Sequence, residues 1–152
     1  MIQRISIGLL ASVALLVPAL EDGASARAVS AATGKARYNS DAPCFTYSFS
    51  TGVVASTCVT DFIVPLTTDH SGAKTLKVTG KTPLFFGSSA SCRAVANDRF
   101  ATAISASQFV SIPIGTFATA TTGAVSVPSK GVFLADCRVN SGTSLSEFDY
   151  SE

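Results

Sequence analysis

The chain has no tryptophan, one methionine (Met1) and one histidine, His70. A single imidazole leaves little room for histidine-based catalysis. A Ser-His-Asp arrangement would have to use His70, and its acidic neighbour Asp69 points the other way in extended backbone. Charge is also scarce: Asp, Glu, Lys and Arg make up 14% of residues, and the formal net charge is +1. Nucleic-acid binding calls for clustered Lys and Arg, and no such cluster occurs. There is no G-x-S-x-G elbow, phosphate-binding loop, dinucleotide fingerprint or EF-hand loop. There is no C-x-x-C pair, and no cysteine lies near His70, so the spacing of a structural zinc site is missing. No catalytic, cofactor-binding or firm metal-binding residue is assigned on these grounds.

What is present begins with "MIQRISIGLLASVALLVPALEDGASA". Arg4 gives a short basic start, Ile5 to Leu20 is an apolar run, and Ala24-Ser25-Ala26 is a small-x-small cleavage site. This pattern predicts a secretory signal peptide over residues 1–26, with cleavage leaving Arg27 first. The apolar run falls short of the roughly 20 residues a membrane span needs, and no basic stop-transfer cluster follows. No stable membrane anchor is expected after cleavage. The protein is expected to be secreted, with the periplasm or the cell surface as further destinations.

Cys44, Cys58, Cys92 and Cys137 form an even set. In an exported chain this predicts two disulfides. Three connectivities are open, and Cys44–Cys58 with Cys92–Cys137 is favoured. The first would close two adjacent strands, and the second would tie an inner strand to the penultimate one.

Residues 27–43 have no periodicity and read as a flexible leader. From Cys44 the chain alternates. "CFTYSFS" sets Phe45, Tyr47 and Phe49 on one face; "TCVTDFIVPL" is a second strand, with Pro65 marking an edge or an end. "TTDHSG" is a turn. In "AKTLKVTG", Leu76 and Val78 point inward and Lys74, Lys77 and Lys81 outward. "KTPLFFGSSA" is turn-rich, with Phe85 and Phe86 read as core filling. "SCRAVAND" is a strand. Residues 98–114 fit either a helix or a strand, and their Ser, Thr and Ile content favours the strand. "TFATATTGAVSVPS" reads as a hairpin around Thr121 to Gly123. Ser and Thr make up roughly a quarter of residues 27–152, which favours strands with hydroxyl-rich outer faces. The expected fold is all-β: residues 44–152 as one disulfide-stapled antiparallel β-sandwich domain, with a partly open β-barrel as the alternative.

The closing "GVFLADCRVNSGTSLSEFDYSE" reads as a last hairpin centred on Asn140 to Thr143. Phe133, Ala135, Cys137, Val139, Phe148 and Tyr150 would face the core. In that register Asp136 sits opposite Glu147, with Cβ atoms roughly 5 Å apart and Asp149 nearby. Such carboxylates could serve a retaining glycosidase or hold Ca²⁺. The blander reading, favoured here, makes them a solvated sheet face neutralised by Arg138, because an open face offers neither a pocket nor a perturbed pKa.

"LSEFDYSE", "FLADC" and "SSASCRAV" together resemble the pattern of small uncharacterised exported bacterial β-rich proteins with a signal peptide and cysteine-bearing strands. The matching positions are Cys58 with Pro65, Cys92, and Cys137 with Phe148 and Glu152, over most of residues 44–152. The match departs at "DCRVNSGTS", where a proline-containing turn would be expected. The resemblance implies export and a β-rich fold, and no activity. The leading expectation is a secreted, non-enzymatic binding or surface-structural module for an unknown extracellular ligand or protein. The alternative is a secreted inhibitor or effector presenting a rigid loop, such as residues 80–90, and the third reading is a hydrolase using Asp136 and Glu147.

Overall fold

The two-residue periodicity of the sequence is realised as strands. The computed structural model describes residues 26–85 and 89–151, and among these the regular structure is antiparallel strand with two short 3-10 turns. The expected signal peptide lies outside the described residues except for Ala26.

Each of two sheets is built around one long strand. In the first sheet the spine is β14 (Ser144–Ser151). Strand β7 (Leu76–Lys81) pairs along one edge; β4 (Val53–Ser56) and β1 (Ala26–Ser30) share the other. Beyond them lie β11 (Ala118–Thr121) next to β7 and β3 (Phe45–Ser48) next to β4. In the second sheet the spine is β13 (Val132–Val139), flanked by β5 (Thr60–Leu66) and β8 (Ser91–Asn97). Strand β2 (Lys35–Ala36) extends β5, while β9 (Ala103–Ala106) and β10 (Val110–Ser111) share the outer edge of β8. A separate ribbon joins β6 (Gly72–Lys74) to β12 (Val125–Val127).

The sheets do not close into a barrel; they pack as a sandwich. Val54, Val78, Leu145 and Phe148 of the first sheet and Phe62, Val64, Phe133 and Val139 of the second are each at most 1% exposed. Two aromatic pairs cross between the sheets: Phe45 to Phe62 at 4.9 Å and Phe133 to Tyr150 at 5.7 Å between ring centroids. Burying each such large apolar side chain contributes about 1.5–3 kcal/mol, which is what fixes the inward faces. The disulfides are Cys44–Cys58 and Cys92–Cys137, the two pairings favoured from the sequence. Cys92 lies directly opposite Cys137 on adjacent strands, and both are fully buried.

Several expectations are corrected. Residues 27–43 are not a flexible leader. Strand β1 pairs with β14, Ser30 caps a 3-10 turn over Ala31–Thr33, and β2 pairs with β5. Ala31 is fully buried, and a Cβ on Gly34 would lie 2.4 Å from the Phe62 ring. The segment crosses from one sheet to the other on residues small enough to pass over the core. Strand β4 lies between the two strands read from "CFTYSFS" and "TCVTDFIVPL", a strand the sequence reading did not include. The hairpin around Thr121 to Gly123 does not form: β11 pairs with β7 and β12 with β6. At the bend, Thr122 takes over the ladder, donating its N–H to Leu76 O and accepting from Leu76 N–H through its hydroxyl.

The closing hairpin is also absent. Strands β13 and β14 belong to different sheets, and Asn140 to Thr143 arches between them. Gly142 donates to Ser56 O, and Ser56 donates to Thr143 O, which ties the arch to β4. Lys74 is buried. Phe85 is 77% exposed and Leu84 81%, so Phe85 does not fill the core; Phe86 lies outside the described residues. Residues 98–114 hold β9 and β10, in line with the favoured strand reading.

Candidate functional site

Because β13 leaves the closing hairpin, its outward side chains acquire new neighbours. Asp136 lies opposite Ile63 on β5 and Arg93 on β8, while Glu147 lies opposite Thr79 in the other sheet. Asp149 lies opposite Lys77 and Ala28, also in the first sheet. The facing carboxylate pair therefore does not exist, and neither does the Ca²⁺ cluster of Asp136, Glu147 and Asp149. No group of three or more potential metal ligands occurs among the described residues.

Asp136 instead anchors an arginine network. Its side chain is 3% exposed. Both Nε and Nη2 of Arg93 lie 2.9 Å from Oδ2. Nη2 of Arg37 lies 2.6 Å from Oδ1, close enough for a strong ion pair but out of line for a hydrogen bond. The other end of Arg37 reaches Asp61, with Nη1 at 3.5 Å from Oδ2, and the Arg37 N–H donates to Asp61 O at 3.0 Å. A buried carboxylate is costly unless paired, and two guanidiniums supply the pairing. Arg138, expected to be the neutralising partner, makes no ion pair among the described residues.

Arg138 turns to an aromatic ring. Its guanidinium carbon lies 4.6 Å from the centroid of Phe109, and that of Arg93 lies at the same distance from the same ring. Phe109 precedes β10, whose pairing of Val110 with Cys92 brings it alongside Arg93. The outer face of the second sheet thus carries Lys35, Arg37, Arg93 and Arg138 against Asp61 and Asp136. Four cations against two carboxylates leave the face positive, on a chain that is nearly neutral.

Next to Arg138 an open cleft of about 340 Å³ is lined by Tyr38, Asp41, Val59, Asp61 and Asn140 among others. Asp41 accepts hydrogen bonds from the hydroxyls of Thr60, at 2.5 Å, and Ser40, at 3.0 Å. A larger cleft, about 490 Å³, lies between the loops at residues 68–71 and 128–131 and includes His70. Its acidic group, Asp69, is engaged by Arg27, and its walls are all loop, so it lacks the fixed strand framework of the smaller cleft.

Sequence reasoning missed Arg37, Arg93 and Phe109. A signal for one of them was present: pairing Cys92 with Cys137 on adjacent antiparallel strands puts Arg93 opposite Asp136. Nothing local to the sequence pointed to Phe109 or Arg37, which arrive through β10 and through a segment read as unstructured.

A scan against protein-family models finds no match for this chain, and a search of the curated proteins finds none either. No helix among the described residues is long and apolar enough to cross a membrane.

Proposed function

We propose that the chain is an exported, non-enzymatic binding module, of the bacterial type its sequence resembles, whose working surface is the outer face of the second sheet. The observation that carries this reading is Arg138: an exposed arginine, without an ion-pair partner among the described residues, whose guanidinium lies over the Phe109 ring on a face rich in cations. A guanidinium held by a ring alone keeps its fork of N–H donors for an anionic group. The disulfides and the absence of a spanning helix among the described residues are compatible with an extracellular destination. Cleavage after Ala26 would leave Arg27 to Ser30 to complete β1. Mass spectrometry of the exported protein is expected to find Arg27 first, and a retained Met1 would overturn the export reading.

The test of binding is a thermal-shift screen of the purified protein against soluble glycans, cell-wall fragments, Ca²⁺ and EDTA. A ligand specific for the folded state at 100 times its Kd adds roughly 2.7 kcal/mol. A saturable shift that weakens in Arg138→Gln supports the reading, and a flat screen counts against it.

A second reading has its own observation. Leu84 and Phe85 are 81% and 77% exposed, and Ile114 in the neighbouring loop is 62% exposed. The two loops are locked by hydrogen bonds from Thr82 N–H to Pro113 O and from Gly115 N–H to Thr82 O, both 2.8 Å. Such an exposed apolar group is what an inhibitor would present to a protein partner. Dose-dependent inhibition of a protease panel, lost in Phe85→Ser, is its expected signature.

A further inference from the structure

We infer that β11 is the edge at which a second copy of this chain adds, strand to strand, about a two-fold axis through Ala120. This surface is a flank of the sandwich, and it does not depend on the binding reading of the second sheet's outer face.

From Phe100 to Ser129 the chain has no Asp, Glu, Lys, Arg or His. That stretch supplies β9 and β10 at the outer edge of the second sheet and β11 at one edge of the first, and β10 lies against β11. One flank of the sandwich is therefore made of uncharged edge strands. Exposed edges are commonly guarded against pairing by charge, lysine above all. Such a guard stands at the far edge of the second sheet, where β2 begins with Lys35. A charge-free flank meets its own copy with no like-charge contact, which favours a second copy as the occupant.

The backbone of β11 suits that occupant. Thr122 N–H donates to Leu76 O at 2.8 Å, and the register continues with Ala120 opposite Val78 and Ala118 opposite Gly80. Hydrogen-bonded pairs alternate along an antiparallel ladder, so Ala118 and Ala120 turn their N–H and C=O to β7. Those of Thr119 and Thr121 turn outward, where no strand among the described residues pairs with them. Ala118, Thr119 and Thr121 are exposed and Ala120 is half-buried. A two-fold through Ala120 sets Thr119 of each copy opposite Thr121 of the other, and each such pair exchanges both N–H···O bonds. The facing threonines are a favourable cross-strand pair, and the two Ala120 methyls are small enough to meet at the axis. Lys77 and Lys81 stand one strand back on β7, and Lys81 Nζ is held 5.0 Å from the Phe117 ring centroid. Each Lys77 lies three strand spacings, roughly 14 Å, from its own copy, beyond the Debye length of about 8 Å. Strands this short bury less than the roughly 1,000 Å² of a stable interface, so the dimer is a weak one. Exposed Ile114 and Phe117, just before β11, add apolar area to it.

The test is sedimentation equilibrium of the full exported protein from micromolar to millimolar concentration, with amide hydrogen exchange at both ends of the range. A monomer–dimer equilibrium is expected. The Thr119 and Thr121 amides should exchange fast when dilute and slowly when concentrated, with Ala120 protected throughout. Thr121→Pro removes an N–H that β7 does not use, so it should fold and weaken the dimer at least tenfold. Thr121→Lys, which brings like charges together near the axis, should do the same. Thr46→Lys, exposed on the opposite edge strand β3, should leave the dimer unchanged. Melting curves report whether each variant folds, and if Thr121→Pro does not, Thr121→Lys decides. A monomer at every concentration overturns the inference and leaves the edge to a strand of some other protein. Full dimerisation in a folded Thr121→Lys overturns it, as does an equal loss in Thr46→Lys. Growth beyond the dimer overturns the closed two-fold in favour of an open array.

Discussion

Strands β13 and β14 are alike in length and place and opposite in circumstance. Each has eight residues, and each is the spine of its sheet. Their inward faces are alike: Phe133, Ala135 and Cys137 on one, Leu145, Phe148 and Tyr150 on the other, all buried. Their outward faces differ. β14 shows Ser146, Glu147 and Asp149 to solvent or partial cover, whereas β13 buries Asp136 beneath Arg37 and Arg93. An outward carboxylate has no fixed meaning until its neighbours are known. On β14 it is a solvated surface group. On β13 it is the fixed point about which a positive face is organised.

The contrast can be broken most sharply by removing the arginines. The double change Arg37→Met and Arg93→Met leaves Asp136 buried and unpaired, and should cost about 3–5 kcal/mol in urea unfolding. The counterpart on β14, Glu147→Ala, should stay within about 0.5 kcal/mol. Equal losses would show that the two carboxylates are in fact equivalent.

The disulfides give the next largest effect. In the chain-entropy treatment, opening Cys92–Cys137, which closes a loop of sequence separation 45, costs about 4 kcal/mol, against about 3 for Cys44–Cys58 with separation 14. Paired Cys→Ser variants compared by thermal melting check the order. The buried β13 bridge should be the more damaging, and its loss should also weaken the Arg93–Asp136 register. Gly34→Ala follows at about 1–3 kcal/mol, because the new methyl meets the Phe62 ring and Val64. A flexible leader would tolerate it without measurable change.

The smallest effect is in alkaline solution. Burial pushes the Tyr47 phenol above its ordinary value. The folded state therefore favours the protonated phenol. Its small contribution is complete below about pH 10, where the unfolded chain begins to ionise, and fades as pH rises through the folded value. Phenol absorbance titration of wild type against Tyr47→Phe should show one late-titrating group.

The strands and their inward faces were legible because burial on one side writes a two-residue period into the chain, as in Leu76 and Val78 or Phe133 to Val139. Pairing was not legible. Alternation says which way a side chain points and is silent about which strand lies beside it. Asn140 to Thr143 has the composition of a hairpin turn, and only the bonds from Ser56 and Gly142 turn it into an arch. The residues 27–43 misled for a different reason. Ala31, Gly34 and Ala36 are buried because they are small, so a segment that needs close approach carries no apolar signature. The site inherits both blind spots, since Arg37 comes from that segment and Asp136 owes its partners to the arch.

The pairing of β1 with β14 also has a consequence in time. The earliest described strand finds its partner at the latest one, with Ala26 opposite Ser151. A chain emerging from the ribosome releases β1 before β14 and must keep it unpaired until β14 arrives. Such remote pairings slow folding, because the connecting chain must be ordered before the contact rewards it. The first sheet therefore has a last piece to be fitted, and it is the one synthesised earliest. A chain truncated before β14 would lose the spine of one sheet and release its opening strand together, while every strand of the second sheet would already be present.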